Sequence, residues 1–234
     1  MGSARIKIVS FGDSFVYGSE LEDNVDGHRA WPGRIAADLG CDYETRAIPG
    51  CGNDAIARQV VEYFATNHSH NTLAVINWTW ALRWDFYVVS TESWVTLGPT
   101  CVPSKLHQHM NQADSRAVLD VYEKFTGHSS TWEKWRSLNS MFVTQQFLRQ
   151  RGITSIETYM DPELVDSDQH APAYSQALLD LTRPSLRTWN GMTFLEWCRH
   201  HDYPITQPGL HPLEQAHSAA ADFWRADYAQ ALAR

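Results

Sequence analysis

The run Arg5-Ile6-Lys7-Ile8-Val9-Ser10-Phe11-Gly12-Asp13-Ser14-Phe15-Val16-Tyr17-Gly18 decides how this chain is read. From Arg5 to Phe11 it is β-branched and largely apolar, and it stops at Gly12. That pattern reads as a buried first strand ending in a turn. Gly12 has no Cβ and permits a sharp turn. In an open parallel sheet, ligands gather beyond the carboxyl ends of the strands. A serine just past such an end is placed for chemistry rather than for the core. If a helical turn follows, its unpaired N–H groups face the same spot and suit an oxyanion. The competing reading is that Asp13-Ser14 only caps a helix.

Outward from this turn, strand patterns alternate with helical ones. Trp31-Pro32 opens a helix that runs through Ile35, Ala36 and Leu39 to Gly40. Tyr43 to Ile48 is a second strand, closed by Pro49-Gly50. Asn53 or Asp54 can cap the next helix, whose Ile56, Val60, Val61 and Phe64 recur at helical spacing. Thr72 to Trp78 is a third strand, apolar throughout. Helical patterns follow at 116–126 and 130–151, then a fourth strand from Ile153 to Tyr159. Shorter helical pieces at 172–184 and 188–200 precede a final amphipathic helix, Pro212 to Leu232. The alternation predicts an α/β fold whose mainly parallel sheet is covered on both faces. Residues 85–115 fit neither pattern, being aromatic and β-prone yet broken by Pro99 and Pro103. One domain over 1–234 is expected, with an insertion or lid at about 85–130.

Composition narrows the function classes. The 234 residues suffice for one α/β domain with a substantial core. The net charge of -8, with no basic run, argues against nucleic acid and against anionic membranes. No stretch approaches the roughly 20 apolar residues of a membrane span. The N-terminus reads as a strand and not as a signal peptide. The four cysteines, Cys41, Cys51, Cys101 and Cys198, form no C-x-x-C pair. They are expected to be free thiols in a reducing, cytoplasmic setting.

Three further segments fall at strand ends. Ala47-Ile48-Pro49-Gly50-Cys51-Gly52-Asn53-Asp54 follows the second strand and opens a helix. Ile76-Asn77-Trp78-Thr79-Trp80 ends the third strand. Gly209-Leu210-His211-Pro212 precedes the last helix, with Pro212 suited to its first position. Together with the Gly12-Asp13-Ser14 turn, and in this order, they resemble the four sequence blocks of the GDSL/SGNH hydrolases.

The resemblance implies a flavodoxin-like three-layer α/β/α sandwich. It implies ester hydrolysis through an acyl-enzyme, with Ser14 as nucleophile and His211 as its base. The oxyanion would be held by the N–H groups of Ser14 and Gly50, with Gly52 as the alternative glycine. No cofactor is implied. The chain departs from the family twice. The third block usually reads Gly-x-Asn-Asp, whereas here Asn77 falls at the glycine and Thr79 at the asparagine. Either side chain can donate a hydrogen bond. The family's aspartate, three residues before the histidine, is Pro208 here. The imidazole is then held by a backbone carbonyl, giving a dyad, or by a carboxylate from elsewhere. Asp202 and Glu214 are the nearest in sequence. The substrate class implied is a small or carbohydrate-linked ester. A non-catalytic binding protein on the same scaffold, or an acyltransferase, are the rival readings.

Asp13, Asn53, Trp78, Trp80 and Arg83 stand near the expected site as candidates for substrate contact. Tryptophan faces can stack on sugar rings or line an acyl pocket, and the plainer alternative is core packing. Among the 11 histidines, His68-x-His70, His107-x-His109 and His200-His201 lack the partner spacing of a zinc site, so no metal is expected.

Overall fold

The described elements run β1 (Lys7–Phe11), α1 (Ser14–Tyr17), α2 (Trp31–Asp38), β2 (Asp42–Thr45), α3 (Asn53–Thr66), β3 (Thr72–Trp78), β4 (Trp84–Val88), β5 (Ser93–Leu97), α4 (Pro103–Leu106), α5 (Gln112–Thr126), α6 (Ser130–Gln150), β6 (Thr154–Tyr159), α7 (Ala173–Thr182), α8 (Phe194–His200) and α9 (Glu214–Leu232). They belong to a computed structural model that describes residues 6–67, 71–99, 101, 103–126, 130–166, 172–207 and 209–233. Four strands form one parallel sheet in the order β2-β1-β3-β6. Ile8, Leu73, Val75 and Ile156 face a core shared with α2, α8 and α9. Val9, Phe11, Ala74, Ile76 and Trp78 face a second core shared with α3, α6 and α7. All seven residues of β3 are buried, as a parallel strand covered on both faces requires. This is the expected α/β/α arrangement. From β1 the chain moves outward to β2 and then returns to β3 on the other side. The crevice where the order reverses lies beyond the ends of β1 and β3.

Several boundaries differ from the sequence pattern. Residues 85–115 hold an antiparallel hairpin, β4 with β5, followed by the short α4. The helical pattern expected from 116 already begins at Gln112. The piece expected over 188–200 is helical only from Phe194. Before it, Trp189 and Met192 bridge across Asn190 and Gly191, both left-handed. Thr193 and Glu196 then form a capping box that starts α8. Pro212 is not the first residue of the last helix. It pairs with Ile205 in an isolated bridge, and the helix starts at Glu214.

The hairpin is fastened to the sheet domain by one carboxylate. Neither Asn53 nor Asp54 caps α3. Its N-cap is Gly52, and the capping acceptor is Asp85 on β4. Asp85 accepts from Gly52 N–H at 3.1 Å, Ala55 N–H at 3.0 Å and the Thr96 hydroxyl at 2.5 Å. A Cβ on Gly52 would lie 2.4 Å from the Asp85 carboxylate, so glycine is needed for this approach. Burial pushes the Asp85 carboxyl above its usual range, and these hydrogen bonds oppose the rise. Replacing Asp85 with alanine leaves helix N–H groups without an acceptor. We expect Asp85→Ala to cost about 1–2 kcal/mol in denaturant unfolding.

On the other face, His217 of α9 is buried, and its Nδ1 accepts the Trp31 N–H at 3.1 Å. The imidazole is thus neutral, with its hydrogen on Nε2. Burial, aided by the Arg34 charge, lowers its pKa to about 3. The folded-state value lies below the unfolded one. This contribution to stability is therefore full above about pH 6.5 and is lost as pH falls toward 3. His217→Asn keeps an acceptor without the titration. Unfolding free energies measured between pH 7 and 4 should fall more steeply for the parent than for this variant.

Candidate active site

Ser14 opens α1 directly after β1 and is 5% exposed. The turn that carries it is tight. A Cβ on Gly12, at φ +155, would lie 2.8 Å from Val16 and 3.1 Å from the Asn77 carbonyl. Asp13 caps the helix, its Oδ1 accepting the Phe15 N–H at 3.0 Å. Among the described residues, neither the Ser14 N–H nor its hydroxyl has a hydrogen-bond partner.

The loop after β2 is seated against this turn. The Ile48 N–H and the Cys51 thiol both donate to the Gly12 carbonyl, at 2.9 and 3.4 Å. Burial pushes the Cys51 thiol up, away from a reactive thiolate. Gly50 has φ +83, and the side where a Cβ would stand is open. Its N–H bonds to no described residue. The Gly52 N–H is taken by Asp85, which leaves Gly50 as the glycine with a donor to offer.

Beyond β3 the donors of Thr79 are already used. Thr79 is fully buried, and its hydroxyl donates to Asp13 Oδ2 at 2.6 Å. Its N–H goes to Asn53 Oδ1 at 2.8 Å. Asn77 accepts from the Thr158 hydroxyl at 2.7 Å, and its buried Nδ2 has no partner. Arg83 Nη1 reaches Asp13 Oδ2 at 2.7 Å, Thr79 Oγ1 at 2.8 Å and the Cys51 carbonyl at 3.1 Å.

These bonds reassign three of the residues expected to touch substrate. Asp13 is fully buried and holds the loops together. Asn53, also buried, donates to the Thr79 carbonyl and the Ser137 hydroxyl, each at 3.1 Å. Trp78 lies in the core and donates to Glu157 at 3.0 Å. Burial raises the Glu157 carboxyl, with Gln145, Trp78 and Ser155 donating to it. Trp80 and Arg83 do border open space. They line a cleft of about 840 Å³ walled by Gly50, Cys51, Trp94 of the hairpin and Lys105 of α4. Ser14 and His211 do not line this cleft; Cys51, which does, is bonded to the Gly12 carbonyl in the turn before Ser14.

His211 lies in the loop before α9, its side chain 18% exposed. Its ring centroid is 5.3 Å from that of Phe15, the residue after Ser14. The fold thus brings His211 to the first turn of α1. Its Nε2 and the Ser14 hydroxyl are not hydrogen-bonded to each other. The loop is fixed by reciprocal bonds with Thr206: His211 N–H to its hydroxyl at 3.1 Å, and Thr206 N–H to the His211 carbonyl at 2.9 Å.

The remaining ring nitrogen meets a residue that sequence reasoning missed. His211 Nδ1 lies 3.0 Å from Glu20 Oε1. Hydrogen bonds, from Thr206 first and His211 next, hold the Glu20 carboxyl below the usual range. Of the acids suggested by proximity in sequence, Glu214 pairs with Arg29 and Arg34 instead. Asp202 makes no hydrogen bond or ion pair with His211, and Pro208 lies outside the described residues. So do His68 and His70.

No protein-family model matches the sequence, and no curated protein matches it. Solved structures do match the fold. One is the crystal structure of TesA, with TM-score 0.52, 13% identity, and coverage of 96% of this chain and 99% of that one. A G-D-S-L family lipolytic protein from Veillonella parvula gives 0.51 at 10% identity, covering 96% and 99%. The psychrotrophic esterase EstA from Pseudoalteromonas, in a structure inhibited by monoethylphosphonate, gives 0.51 at 12%, covering 97% and 99%. At these identities the likeness is one of fold: the chain shares the fold of these structures, the one that the sequence blocks implied.

Asp13 has no exposure, while the Arg83 side chain is 18% exposed. Removing the cation strands a buried charge, which typically costs about 3–5 kcal/mol. Arg83→Ala should destabilise the protein by about 3 kcal/mol in denaturant titration. Adding Asp13→Asn should recover part of that loss.

Proposed function

We propose that this chain is a serine hydrolase that cleaves carboxylic esters through an acyl-enzyme. The single observation that carries the reading is the meeting of the β1 turn with the loop before α9. It puts a serine without a hydrogen-bond partner and an imidazole, far apart in sequence, at one end of the sheet.

The Glu20 contact supports a definite tautomer. A carboxylate only accepts, so the hydrogen sits on Nδ1 and Nε2 keeps its lone pair. Nε2 can then take the Ser14 proton once a side-chain rotation closes the gap. Such hydrogen bonds are often long until substrate is bound. Ser14 Oγ forms a bond to the ester carbonyl carbon, and the carbonyl oxygen gains the charge. The Ser14 and Gly50 N–H groups are the donors available for that oxyanion. The Thr79 hydroxyl hydrogen is directed to Asp13, and the Arg83 guanidinium borders the cleft. When the carbon–oxygen bond to the alcohol breaks, the imidazolium gives its proton to the leaving oxygen. Water, activated by His211, then releases the acid and restores Ser14.

The lining of the cleft supports a substrate class. Trp80 and Trp94 offer flat apolar faces for a ring, and Arg83 and Lys105 offer charge. A small ester, including one on a sugar, fits this lining. Four unbridged cysteines suit a reducing compartment, and we place the protein in the cytoplasm. No helix among the described residues is long and apolar enough to cross a membrane.

A fluorophosphonate probe together with p-nitrophenyl acetate hydrolysis tests the reading. Labelling and turnover should both vanish in Ser14→Ala, and His211→Ala should lower kcat by at least about 10³-fold. Parent protein that neither labels nor turns over would favour a non-catalytic binding protein.

A further inference from the structure

We propose that Glu20 is the carboxylate that positions His211, making the working group Ser14–His211–Glu20 with its acid on the nucleophile's own loop. The inference rests on the hydrolase reading above.

Three features show that the contact is built into the loops. First, Glu20 and the residue before His211 sit in backbone conformations that side chains resist. Glu20 has φ +69, and Leu210, next to His211, has φ +58. Non-glycine residues adopt this region only when their surroundings hold them there. Second, Gly209 leaves the space in which the pair meets. A Cβ there would stand 2.8 Å from Glu20 Oε1, 2.8 Å from His211 Nδ1 and 3.2 Å from Thr206 Oγ1. Third, the Thr206 hydroxyl lies between them, accepting from the His211 N–H at 3.1 Å and bonding the Glu20 carboxylate.

The approach to Glu20 is fixed by α1 itself. The Gly18 and Ser19 N–H groups both donate to the Ser14 carbonyl, at 2.9 and 3.0 Å. Leu21, the next residue, is 8% exposed and anchors the loop. The turn that presents the nucleophile therefore also presents the acid. This supplies what the motif before the histidine lacks, since Pro208 stands where a carboxylate is expected. Glu20 acts through His211 and touches no reacting atom, so it is a positioning residue. Its side chain is 45% exposed, and water screens part of its charge. Its loss should cost less than that of a fully buried triad acid.

The test uses the whole chain with p-nitrophenyl acetate as substrate. Glu20→Gln should lower kcat about 10- to 100-fold with KM within about twofold, and Glu20→Asp should recover part of the loss. Gly209→Ala, which pushes the carboxylate off Nδ1, should fall in the same range. Ring-¹⁵N spectroscopy of His211 reads the pair without turnover. The parent should show the Nδ1-protonated tautomer at neutral pH, and Glu20→Gln should shift population to Nε2–H. Unchanged ring signals, or a Glu20→Gln kcat within about twofold of the parent, overturn the proposal. A parent rate no greater than that of Ser14→Ala overturns the hydrolase reading itself. The ring spectra then still report whether Glu20 holds the imidazole, so the two failures are told apart.

Discussion

A buried carboxylate is expensive unless every lone pair is met, and Asp13 meets this demand from three directions. Its donors are the Phe15 N–H from α1, the Thr79 hydroxyl from the end of β3, and Arg83 from the approach to the hairpin. Arg83 also binds the Cys51 carbonyl after β2. One charge thus gathers the loops beyond three neighbouring strands. The crevice predicted by the strand order exists because these loops cannot drift apart without stranding Asp13 or Arg83.

The same demand decides which groups are left for chemistry. Satisfying Asp13 uses the hydroxyl hydrogen of Thr79, and holding Thr79 in place uses the Asn53 side chain. Capping α3 uses the Gly52 N–H. What remains without a partner is the pair of amides at Ser14 and Gly50, with the buried Asn77 Nδ2.

What could be read in the sequence was local. The run Thr72–Trp78 is mostly apolar and buried at every position, and its strand bounds match. The turn at Gly12-Asp13-Ser14 was legible because a glycine, a cap and a strand end coincide within four residues. The choice between Gly50 and Gly52 was not, since it depends on Asp85 arriving from a later hairpin. That hairpin was itself obscured: Asp85 is a poor strand residue by propensity, and its burial is justified only by the helix end it caps. Pro212 misled because proline at a helix start and proline in a bridge share the same local preference. Glu20 left no signal, for it stands in the acidic stretch Glu20-Leu21-Glu22-Asp23, which reads as solvated loop. Its partner is a histidine at the far end of the chain.

Where the carboxylate resides has a mechanical consequence. An acid three residues before the histidine would be held by the histidine's own loop. Here Glu20 and His211 come from separate loops, and their meeting depends on how those loops dock. The Ser14–Glu20 side is stapled by Asn24, which donates to the Tyr17 and Gly18 carbonyls at 2.7 and 3.0 Å and accepts from Arg29 N–H at 2.9 Å. The His211 side is stapled by Thr206 and by the bridge of Ile205 to Pro212. Two left-handed residues and one glycine without room for a Cβ mark the contact between them. Strain of this kind persists only while both loops are docked. The geometry of the base is therefore a property of tertiary packing, and it can be lost by local opening of either loop while the parallel sheet stays folded.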